Sequence, residues 1–557
     1  MRNPFAHGAS LGLAIWGVEV VALTAGVLGI GGTSVLASLR TELATLGLGY
    51  LGLGAVSGVL VRSRLGLGGP VVLWCLLLLV ADAGVVPRWM HALLVGLAVG
   101  LWLGWTRLPA RHTAWVPWTV GALLTGLALL PERAAPLVGV AGDRPDVILV
   151  VVDTLRADHV GHAGYGRDTT PVLDALARDG LRFTRARAAS SWTLPSHASL
   201  FTGLDPAEHG AHAGHPRLDP GPRTLAEAFE DRGYRTLGLS ANAWVSGGTG
   251  LDRGFDRFEF LGDDGLASQL LLALAIQRPT DLGGRRITDR AIDAMDAAAA
   301  ANEPLFLFAN LLEAHEPLGT LPHAERERFG PVGADDGRRW MRDMPRFWCE
   351  GTRADPERIR AVTDAYDAGV AYADARIGEL IAAAKRNGRW DRTWLVVTSD
   401  HGEHLGEDGQ LGHMVWLDDA LLDIPLVVHG PGARGTVDTP FPLSGLGAWL
   451  LAAVDGQVPP IPERAVSEVH PHPDGTVRAW GAVFGCDFAP AQVPRRAVMT
   501  ADRTVWRHGD AVRTTQEGSE RPATPDEAGW VDGPFAEPGA PVDASTRRAL
   551  ETLGYVE

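Results

Sequence analysis

Cysteine is scarce in this sequence, with three residues among 557. So few cysteines exclude a disulfide-rich scaffold, and no pair has the C-x-x-C spacing of a structural metal site. Cys75 lies in an apolar run, whereas Cys349 and Cys486 lie in the polar part of the chain. Those two could form a disulfide bond if that part lies outside the cytoplasm. The sequence alone leaves the pairing open.

Positive charge is also in short supply, because 50 Lys and Arg stand against 66 Asp and Glu, a net charge of −16. Residues 1–140 contain eight Arg and four acidic residues, so the acidic excess belongs to residues 141–557. We therefore expect no nucleic acid partner, since phosphate backbones bind Lys and Arg surfaces. An anionic substrate would need local compensation from a metal ion or histidines, and the acidity itself serves solubility.

Long apolar stretches are confined to the first 131 residues, at 9–33, 43–61, 70–87, 90–106 and 115–130. Each is close to the roughly 20 residues that cross a bilayer, although the last three are short. A cleaved signal peptide would account for the first stretch only. A buried helical domain in water would need polar faces that these stretches lack. We predict a transmembrane domain of about five helices at residues 1–140, with the lipid bilayer as its partner.

Arginines in the short loops predict the orientation of these helices. With five spans and a cytoplasmic N-terminus, five of the eight arginines face the cytoplasm: Arg2, Arg62, Arg64, Arg107 and Arg111. This bias follows the positive-inside rule. The pattern predicts a multi-pass protein of the cell membrane whose catalytic part is extracytoplasmic. An even number of spans would reverse the side.

The pattern changes near residue 145, where the apolar run D-V-I-L-V-V-V (146–152) is typical of a buried parallel strand. Similar runs occur at 236–241, 304–312, 393–398 and 424–428. Amphipathic helical segments lie between them, at 171–179, 222–231, 286–300 and 357–386. This alternation indicates an α/β fold with a mostly parallel sheet. We predict a catalytic domain at 145–435 and a C-terminal subdomain at 436–557. Short strands are expected within 476–507, at R-A-W-G-A-V-F (478–484), R-A-V-M-T (496–500) and T-V-W-R (504–507).

Polar residues follow four of these strands, at the edge where open α/β sheets bind ligands. They are Asp153, Asn242, Glu313 with His315, and Asp400 with His401. A single Asp after a strand is usually a turn cap. Four strand ends that bring carboxylates and imidazoles to one edge instead favour a site for a divalent cation.

The segment S-S-W-T-L-P-S-H-A-S-L-F-T-G (190–203) contains a candidate nucleophile. Pro195 suits the first turn of a helix that begins near Ser196. Thr193 would then lie just ahead of that helix, where the dipole and free N–H groups attract an anion. A divalent ion would activate its hydroxyl. A plain N-cap threonine fits this segment equally well.

Several ordered motifs resemble the sulfatase family of the alkaline phosphatase superfamily. They are V-V-D-T-L-R-A-D-H-V-G-H-A-G-Y-G (151–166), T-L-P-S-H-A-S-L-F-T-G (193–203), E-A-H-E-P (313–317), T-S-D-H-G-E-H-L-G-E (398–407), and G-H-M (412–414) before D-I-P-L-V-V-H-G-P-G (423–432). The resemblance spans about residues 145–557. It implies an alkaline-phosphatase/sulfatase-like α/β core with a small C-terminal subdomain.

The resemblance also implies roles for individual residues. The metal ligands would be Asp153, Thr193, Asp400 and His401. Thr193 occupies the position of the Cys or Ser that sulfatases oxidise to formylglycine, and His197 replaces an Arg. His315 and His413 match residues that contact the transferred group or assist the leaving oxygen. Relatives use calcium, manganese, magnesium or zinc, as one ion or two.

Two departures point to one branch of the superfamily. Threonine cannot yield formylglycine, because oxidation of a secondary alcohol gives a ketone. Thr154 also stands where many sulfatases have a second metal aspartate. Both features resemble lipoteichoic acid synthases and lipid A phosphoethanolamine transferases, which have a similar N-terminal helix bundle. The expected function is a membrane-anchored, metal-dependent hydrolase or transferase that acts on a phospho-ester of a lipid or glycan through Thr193.

Two other functions stay open. A sulfuric ester hydrolase is the main alternative, although Thr193 disfavours it. A non-catalytic membrane scaffold on the same fold is the other, although intact site residues speak against decay. Six further histidines are expected on the surface rather than at a metal: His159, His162, His209, His212, His215 and His404.

Overall fold

The computed structural model describes residues 144–262, 281–332, 355–457, 461–484, 487–516 and 518–532. The five predicted membrane spans lie outside these residues, as do all three cysteines, so the transmembrane domain and the disulfide remain predictions. Among the helices that are described, none is both long enough and apolar enough to cross a bilayer.

The strands and helices alternate through the first two thirds of the described chain. The strands are β1 (Asp146–Val152), β2 (Leu181–Arg187), β3 (Arg235–Ser240), β4 (Arg257–Phe260), β5 (Leu305–Leu311), β6 (Thr393–Thr398), β7 (His404–Leu405), β8 (Leu411–Gly412), β9 (Asp423–His429), β10 (Gly435–Val437), β11 (Phe441–Pro442), β12 (Ala465–Val469), β13 (Arg495–Met499), β14 (Thr504–His508), β15 (Ala511–Gln516) and β16 (Ser519–Pro522). The helices are α1 (Pro171–Asp179), α2 (Thr193–Thr202), α3 (Pro206–His209), α4 (Leu225–Glu230), α5 (Gly284–Ala301), α6 (His323–Arg326), α7 (Pro356–Arg386), α8 (Asp419–Leu422), α9 (Leu446–Val454), α10 (Asp474–Phe484) and α11 (Pro525–Val531).

Most of the strands form one large sheet, which has nine strands within the described residues. Its order is β10-β2-β9-β6-β1-β5-β3-β4, and β11 also pairs with β2. The pairs around the central strand β1 are parallel, whereas β9 runs antiparallel to both β2 and β6. All seven residues of β1 are buried because helices cover the sheet, as its continuous apolar sequence predicts. The predicted mostly parallel α/β fold is confirmed.

The individual elements agree closely with the sequence pattern. The strands at 146–152 and 393–398 have the predicted bounds, and the runs at 236–241, 304–312 and 424–428 are β3, β5 and β9 with ends shifted by one residue. The four predicted helical segments are α1, α4, α5 and α7. Pro171 begins α1, since proline needs no hydrogen bond at a first helical position.

A second sheet follows the first. It is antiparallel, with the order β12-β13-β14-β15-β16. Helix α11 packs on one of its faces through Val531, against Val498 and Val505. Because β10 and β11 still pair with β2, the large sheet extends beyond residue 435, and the second sheet begins at Ala465.

One predicted strand is wrong. Residues 478–484 were expected to be extended, but they form the end of α10. Val477, Trp480 and Phe484 are spaced at i, i+3 and i+7, which is the period of a helix rather than of a strand. The strands expected near 496–500 and 504–507 are present as β13 and β14.

Candidate metal-dependent active site

The polar residues that follow β1, β3, β5 and β6 meet at one edge of the large sheet. Val151, near the end of β1, lies beside Asn310 of β5 and Thr398 of β6. Asp153 directly follows β1, and Asp400 follows β6 by two residues. Both side chains are fully buried. Of the predicted strand-end residues, Asp153, Asn242, Asp400 and His401 lie together at this edge, whereas the carboxylate of Glu313 accepts from the Gly284 N–H of α5 over 2.6 Å.

Three of the predicted metal ligands form a compact group. Ligand atoms of Asp153, Asp400 and His401 all lie within 4.8 Å of one another. Nε2 of His401 is 3.3 Å from Oδ2 of Asp400 and 4.0 Å from Oδ1 of Asp153. Those two carboxylate oxygens are buried and have no hydrogen-bond partner. Two unpartnered oxygens beside an imidazole nitrogen fit a divalent cation, because buried polar atoms otherwise find partners.

The second oxygen of Asp153 is held by two amides. The side-chain N–H groups of Asn242 and Asn310 donate to Oδ2 of Asp153 over 2.9 Å and 3.2 Å. These bonds leave Oδ1 to face the cluster. Asn242 was among the polar strand-end residues, whereas Asn310 was missed. The available signal was an amide inside the otherwise apolar run of β5, where a buried polar side chain needs a specific partner.

Asp400 and His401 are oriented in the same way. The backbone N–H groups of Thr154 and His401 donate to Oδ1 of Asp400 over 3.2 Å and 2.9 Å. Nδ1 of His401 donates to the carbonyl oxygen of Gly402 over 2.9 Å, so the tautomer leaves the lone pair on Nε2. Hydrogen bonds of this kind fix metal ligands in place.

The charges of the two aspartates are linked. Burial and then the negative charge of Asp153 hold the pKa of Asp400 well above its ordinary range. Burial alone would also raise the pKa of Asp153, but the imidazoles of His315, His401 and His197 lower it. Two carboxylates this close do not both ionise readily in a buried site unless a cation compensates them. The shifted pKa values and the two unpartnered oxygens therefore both favour a divalent cation at this site.

Thr193 begins α2, with Trp192 in an extended conformation just before it. The helix was expected to begin near Ser196, so that prediction was three residues late. The fixed φ angle of Pro195 is compatible with any position of the first turn. Thr193 is therefore the first helical residue rather than a cap ahead of the helix, and the free N–H groups of a first turn lie beside it.

The Thr193 hydroxyl lies among the ligands. Its Oγ1 is 3.4 Å from Nε2 of His401 and 3.3 Å from Nδ2 of Asn242. His197 lies one turn later, and its Nδ1 donates to the Thr193 carbonyl over 2.9 Å, while its Nε2 is buried and unpartnered. Burial lowers the pKa of His197, which keeps the ring neutral. Thr193 therefore lies beside the three clustered ligands, and His197 bonds to its backbone.

His413 and His315 border the same cluster. The His413 ring lies 4.7 Å from that of His401 and 5.0 Å from that of His315, between centroids. Burial and then the neighbouring His315 hold the pKa of His413 well below its ordinary value. Burial alone would lower the pKa of His315 too, but the carboxylates of Asp153, Glu316 and Glu403 raise it. The pKa values of the two histidines are therefore shifted in opposite directions.

Glu403 is a site residue that the sequence reading did not single out. Its Oε1 and Oε2 accept from Nδ1 of His413 over 3.0 Å and 3.2 Å, and the side chain is buried. Burial raises the pKa of Glu403 to about 8. The signal was its place two residues after His401 in T-S-D-H-G-E. This bond directs the unpartnered Nε2 of His413 away from Glu403.

The expectation that the remaining histidines lie on the surface was wrong for five of the six. Buried side chains are found for His159, His209, His212, His215 and His404. His159 contacts Asp367 and His404 contacts Asp418, each over 2.8 Å. An imidazole can be buried when its nitrogens find partners, and a loop sequence does not reveal such partners.

Comparison with known proteins agrees with this geometry. The Sulfatase family model matches residues 145–441. "Uncharacterized sulfatase YidJ" of Escherichia coli K12 is 26% identical over 347 residues, which cover 57% of this chain and 69% of YidJ. "Multifunctional alkaline phosphatase superfamily protein PehA" of Trinickia caryophylli is 25% identical over 356 residues, 52% of this chain and 69% of PehA.

A solved structure has the same fold. The phosphonate monoester hydrolase of Agrobacterium radiobacter aligns with a TM-score of 0.52 and 20% identity, covering 67% of this chain and 89% of that one. The family match extends over more than half of the sequence and includes every residue of the cluster. The chain therefore belongs to the sulfatase family of hydrolases, within the alkaline phosphatase superfamily.

Proposed function

We propose that this protein is a metal-dependent hydrolase or transferase that acts on a phospho-ester, with Thr193 as the nucleophile. One observation carries the proposal: the Thr193 hydroxyl lies 3.4 Å from Nε2 of His401, beside the unpartnered oxygens of Asp153 and Asp400. A divalent ion held by these three residues would favour the ionised hydroxyl and offset charge on the phosphoryl oxygens. The broadly acidic domain offers little other compensation.

The identity of the nucleophile favours phosphorus over sulfur. A threonine cannot be oxidised to an aldehyde, so the hydrate that attacks sulfate esters in sulfatases cannot form here. A hydroxyl that remains a hydroxyl can instead attack phosphorus and form a phosphothreonine. The names of PehA and of the phosphonate monoester hydrolase are compatible with phosphorus chemistry in relatives of this chain.

The reaction has two displacement steps. In the first, a bond forms between Oγ of Thr193 and phosphorus, and the bond from phosphorus to the leaving alcohol breaks. In the second, water or the hydroxyl of a lipid or glycan attacks phosphorus and releases Thr193. Each step moves one proton away from the attacking hydroxyl and one proton onto the leaving oxygen. His413 and His315, whose rings border the cluster, are the groups positioned to relay these protons.

The helix that begins with Thr193 adds to the stabilisation of charge. Helix α2 has ten residues, and its first-turn N–H groups and dipole face the position of an incoming anion. His197 lies one turn along α2, where sulfatases have an arginine. Since burial keeps His197 neutral, it would contact the phosphoryl group as a hydrogen-bonding group rather than as a charge.

The nucleophile is tested by intact-mass spectrometry after the full-length protein is incubated with membrane lipids or a p-nitrophenyl phosphodiester. We expect a phosphorylated adduct that peptide mapping assigns to Thr193. Thr193→Ala should lose the adduct and at least about a thousandfold of turnover, whereas Thr193→Ser, which retains the hydroxyl, should retain measurable activity. Full turnover by Thr193→Ala would contradict the proposal.

A sulfuric ester hydrolase is the second candidate, because the family model and the name of YidJ refer to sulfatases. Assays on p-nitrophenyl sulfate, a phosphate monoester and a phosphodiester separate the two candidates. Sulfatase turnover that survives Thr193→Ala would favour this reading. A non-catalytic scaffold would be inert on all three esters and would contain no metal by elemental analysis. A non-catalytic scaffold would not explain why one carboxylate oxygen each of Asp153 and Asp400 is buried without a hydrogen-bond partner.

Membrane anchoring is part of the proposal and rests on the apolar stretches within residues 1–140. It places the ester-cleaving domain on the outer side of the cell membrane, where phospholipids and membrane glycans are available as substrates or acceptors. Fractionation should recover the protein with membranes that resist carbonate extraction. Protease added to intact spheroplasts should remove the catalytic domain, and protection from the protease would instead indicate a cytoplasmic domain.

A further inference from the structure

A groove lies between the second sheet and the core of the catalytic domain, apart from the metal ligands. Its volume is about 380 Å³, within the range of about 300–1,000 Å³ that is typical of small-molecule sites. One wall is the segment Leu417–Asp419. The floor consists of side chains from β14, β15 and β16: Trp506, His508, Ala511, Arg513, Thr515 and Glu520.

The strand register brings the floor residues to one face of the sheet. Trp506 pairs with Arg513 across β14 and β15, and Thr515 pairs with Glu520 across β15 and β16. Directly opposed residues of antiparallel strands project to the same side. The other side of this sheet packs against α11, so the face with the groove is the one directed toward the catalytic core.

Trp506 is held as a fixed platform. Its indole N–H donates to Oγ1 of Thr515 over 3.1 Å, and the guanidinium carbon of Arg187 lies 5.6 Å from the centre of its ring. Arg187 is itself buried and paired with Asp419 over 2.9 Å. An aromatic ring positioned in this way offers an apolar face with little loss of conformational entropy when a ligand binds.

The charge of the groove restricts the ligand. Three carboxylates (Asp418, Asp419 and Glu520) stand against two guanidiniums, because Arg513 pairs with Glu520 and the buried Arg187 pairs with Asp419, which leaves an excess of one negative charge. A phosphate or sulfate group would be repelled by this excess of negative charge. Carboxylate oxygens accept hydrogen bonds from hydroxyl groups, and the Arg513 side chain, 65% exposed, can donate to others.

A pyranose has an apolar face and a rim of hydroxyl groups. The ring of Trp506 offers a surface for the apolar face, and the carboxylates and the Arg513 guanidinium offer acceptors and a donor for the hydroxyl groups. We propose that this groove binds a neutral sugar unit. Leu417 follows His413 by four residues, so their Cα atoms are at most about 14 Å apart. If the proposed function holds, the sugar belongs to a substrate or acceptor whose ester lies at Thr193.

Binding can be measured without any reaction. Saturation-transfer difference NMR on the full-length protein would use maltose, cellobiose, lactose, mannobiose and N,N′-diacetylchitobiose, none of which carries an ester. A polyoxyethylene detergent avoids sugar headgroups. We expect at least one disaccharide to bind, with affinity reduced about tenfold or more by Trp506→Ala. Trp530→Ala is the matched control, because Trp530 packs near Arg464 against the other face.

Surface variants keep the test decisive if Trp506→Ala unfolds. Arg513→Ala and Glu520→Gln change side chains that are 65% and 53% exposed, so they should fold normally and weaken binding about threefold or more. The proposal is overturned if no disaccharide binds, or if none of the groove variants weakens binding. Binding of tetramethylammonium alone, lost in Trp506→Ala, would assign the groove to a cation instead.

The outcomes for the groove and for Thr193 are independent. An enzyme that turns over phospho-esters but binds no disaccharide would overturn the sugar site and leave the proposed function standing. A protein that binds sugar through Trp506 but forms no adduct at Thr193 would overturn the phospho-ester function alone.

Discussion

The carboxylate of Glu403 accepts from Nδ1 of His413 over 3.0 Å, in a pocket where both side chains are buried. The bond sets the tautomer of His413 and directs Nε2, which has no partner, away from Glu403. An acceptor behind a histidine fixes the orientation and the tautomer of the ring. Glu403 is thus a positioning residue for the proposed proton transfer.

Replacing Glu403 with Ala should lower kcat about 10- to 100-fold, with a smaller change in KM, because Nδ1 of His413 loses the acceptor that fixes its tautomer. Glu403→Asp should recover part of the loss. Glu403→Gln retains an acceptor but cannot ionise, so the pH profile of kcat should shift around pH 8 in that variant. Loss of folded protein without such a shift would reduce Glu403 to a structural role.

Chelation should abolish activity, and one readout does not depend on turnover. Added divalent ions should raise the Tm of the chelated protein, because a ligand that binds only the folded state stabilises it. Asp153→Asn and Asp400→Asn should lose most of that rise, while the exposed control Asp526→Asn should retain it. Calcium, manganese, magnesium and zinc are compared in turn by differential scanning fluorimetry. Full activity after exhaustive chelation would contradict the metal site.

The buried acid Glu316 should make the stability of the chelated protein fall as the pH rises toward about 8. Burial and then the charge of Glu403 raise the pKa of Glu316 to about 8. A raised pKa in the folded state stabilises the protein fully below the unfolded pKa, about 4.3, and that stabilisation is lost as pH rises through about 8. The Tm should therefore fall as the pH rises from about 5 to about 8 and should level off above that.

The matching variants isolate this contribution. Glu316→Gln cannot ionise, so its Tm should fall less over the same range when it is measured by circular dichroism. The exposed Glu325→Gln should behave as the unchanged protein does. An equal fall in all three proteins would assign the pH dependence of the Tm to other groups.

The loop after Asp153 should depend on Tyr366. Thr154 has a φ of 59°, a conformation that strains a β-branched residue. The Tyr366 hydroxyl donates to the Thr154 carbonyl over 2.7 Å and accepts from the Arg156 N–H over 2.9 Å. Tyr366→Phe should lower the free energy of unfolding by about 1–3 kcal/mol, because two buried backbone groups lose their partner.

The same variant should weaken metal binding, since the Thr154 N–H orients Asp400. Urea denaturation and metal titration give the two values. Tyr372→Phe is the control, because its hydroxyl bonds to Asp281 at a partly exposed position. An effect in Tyr366→Phe no larger than in this control would indicate that the surrounding packing alone holds the strained loop.

The sequence by itself determined the local structure of the chain. Continuous apolar β-branched runs have one stable environment, the interior of a covered parallel sheet, so the five central strands and the residues at their ends were predictable. Adjacent polar residues such as Asp400 and His401, placed after such a strand, already indicate a ligand site.

Only the tertiary structure decided which distant side chains complete that site. Asn310 bonds to Asp153 because the neighbouring strands β1 and β5 bring together residues that are 157 positions apart in the chain. Glu403 bonds to His413, 10 positions away, because the loop between them folds back. The groove beside Trp506 exists because the second sheet faces the catalytic core. Such contacts depend on three-dimensional packing, and hydrophobic periodicity records only whether a residue is buried, not which partner it meets there.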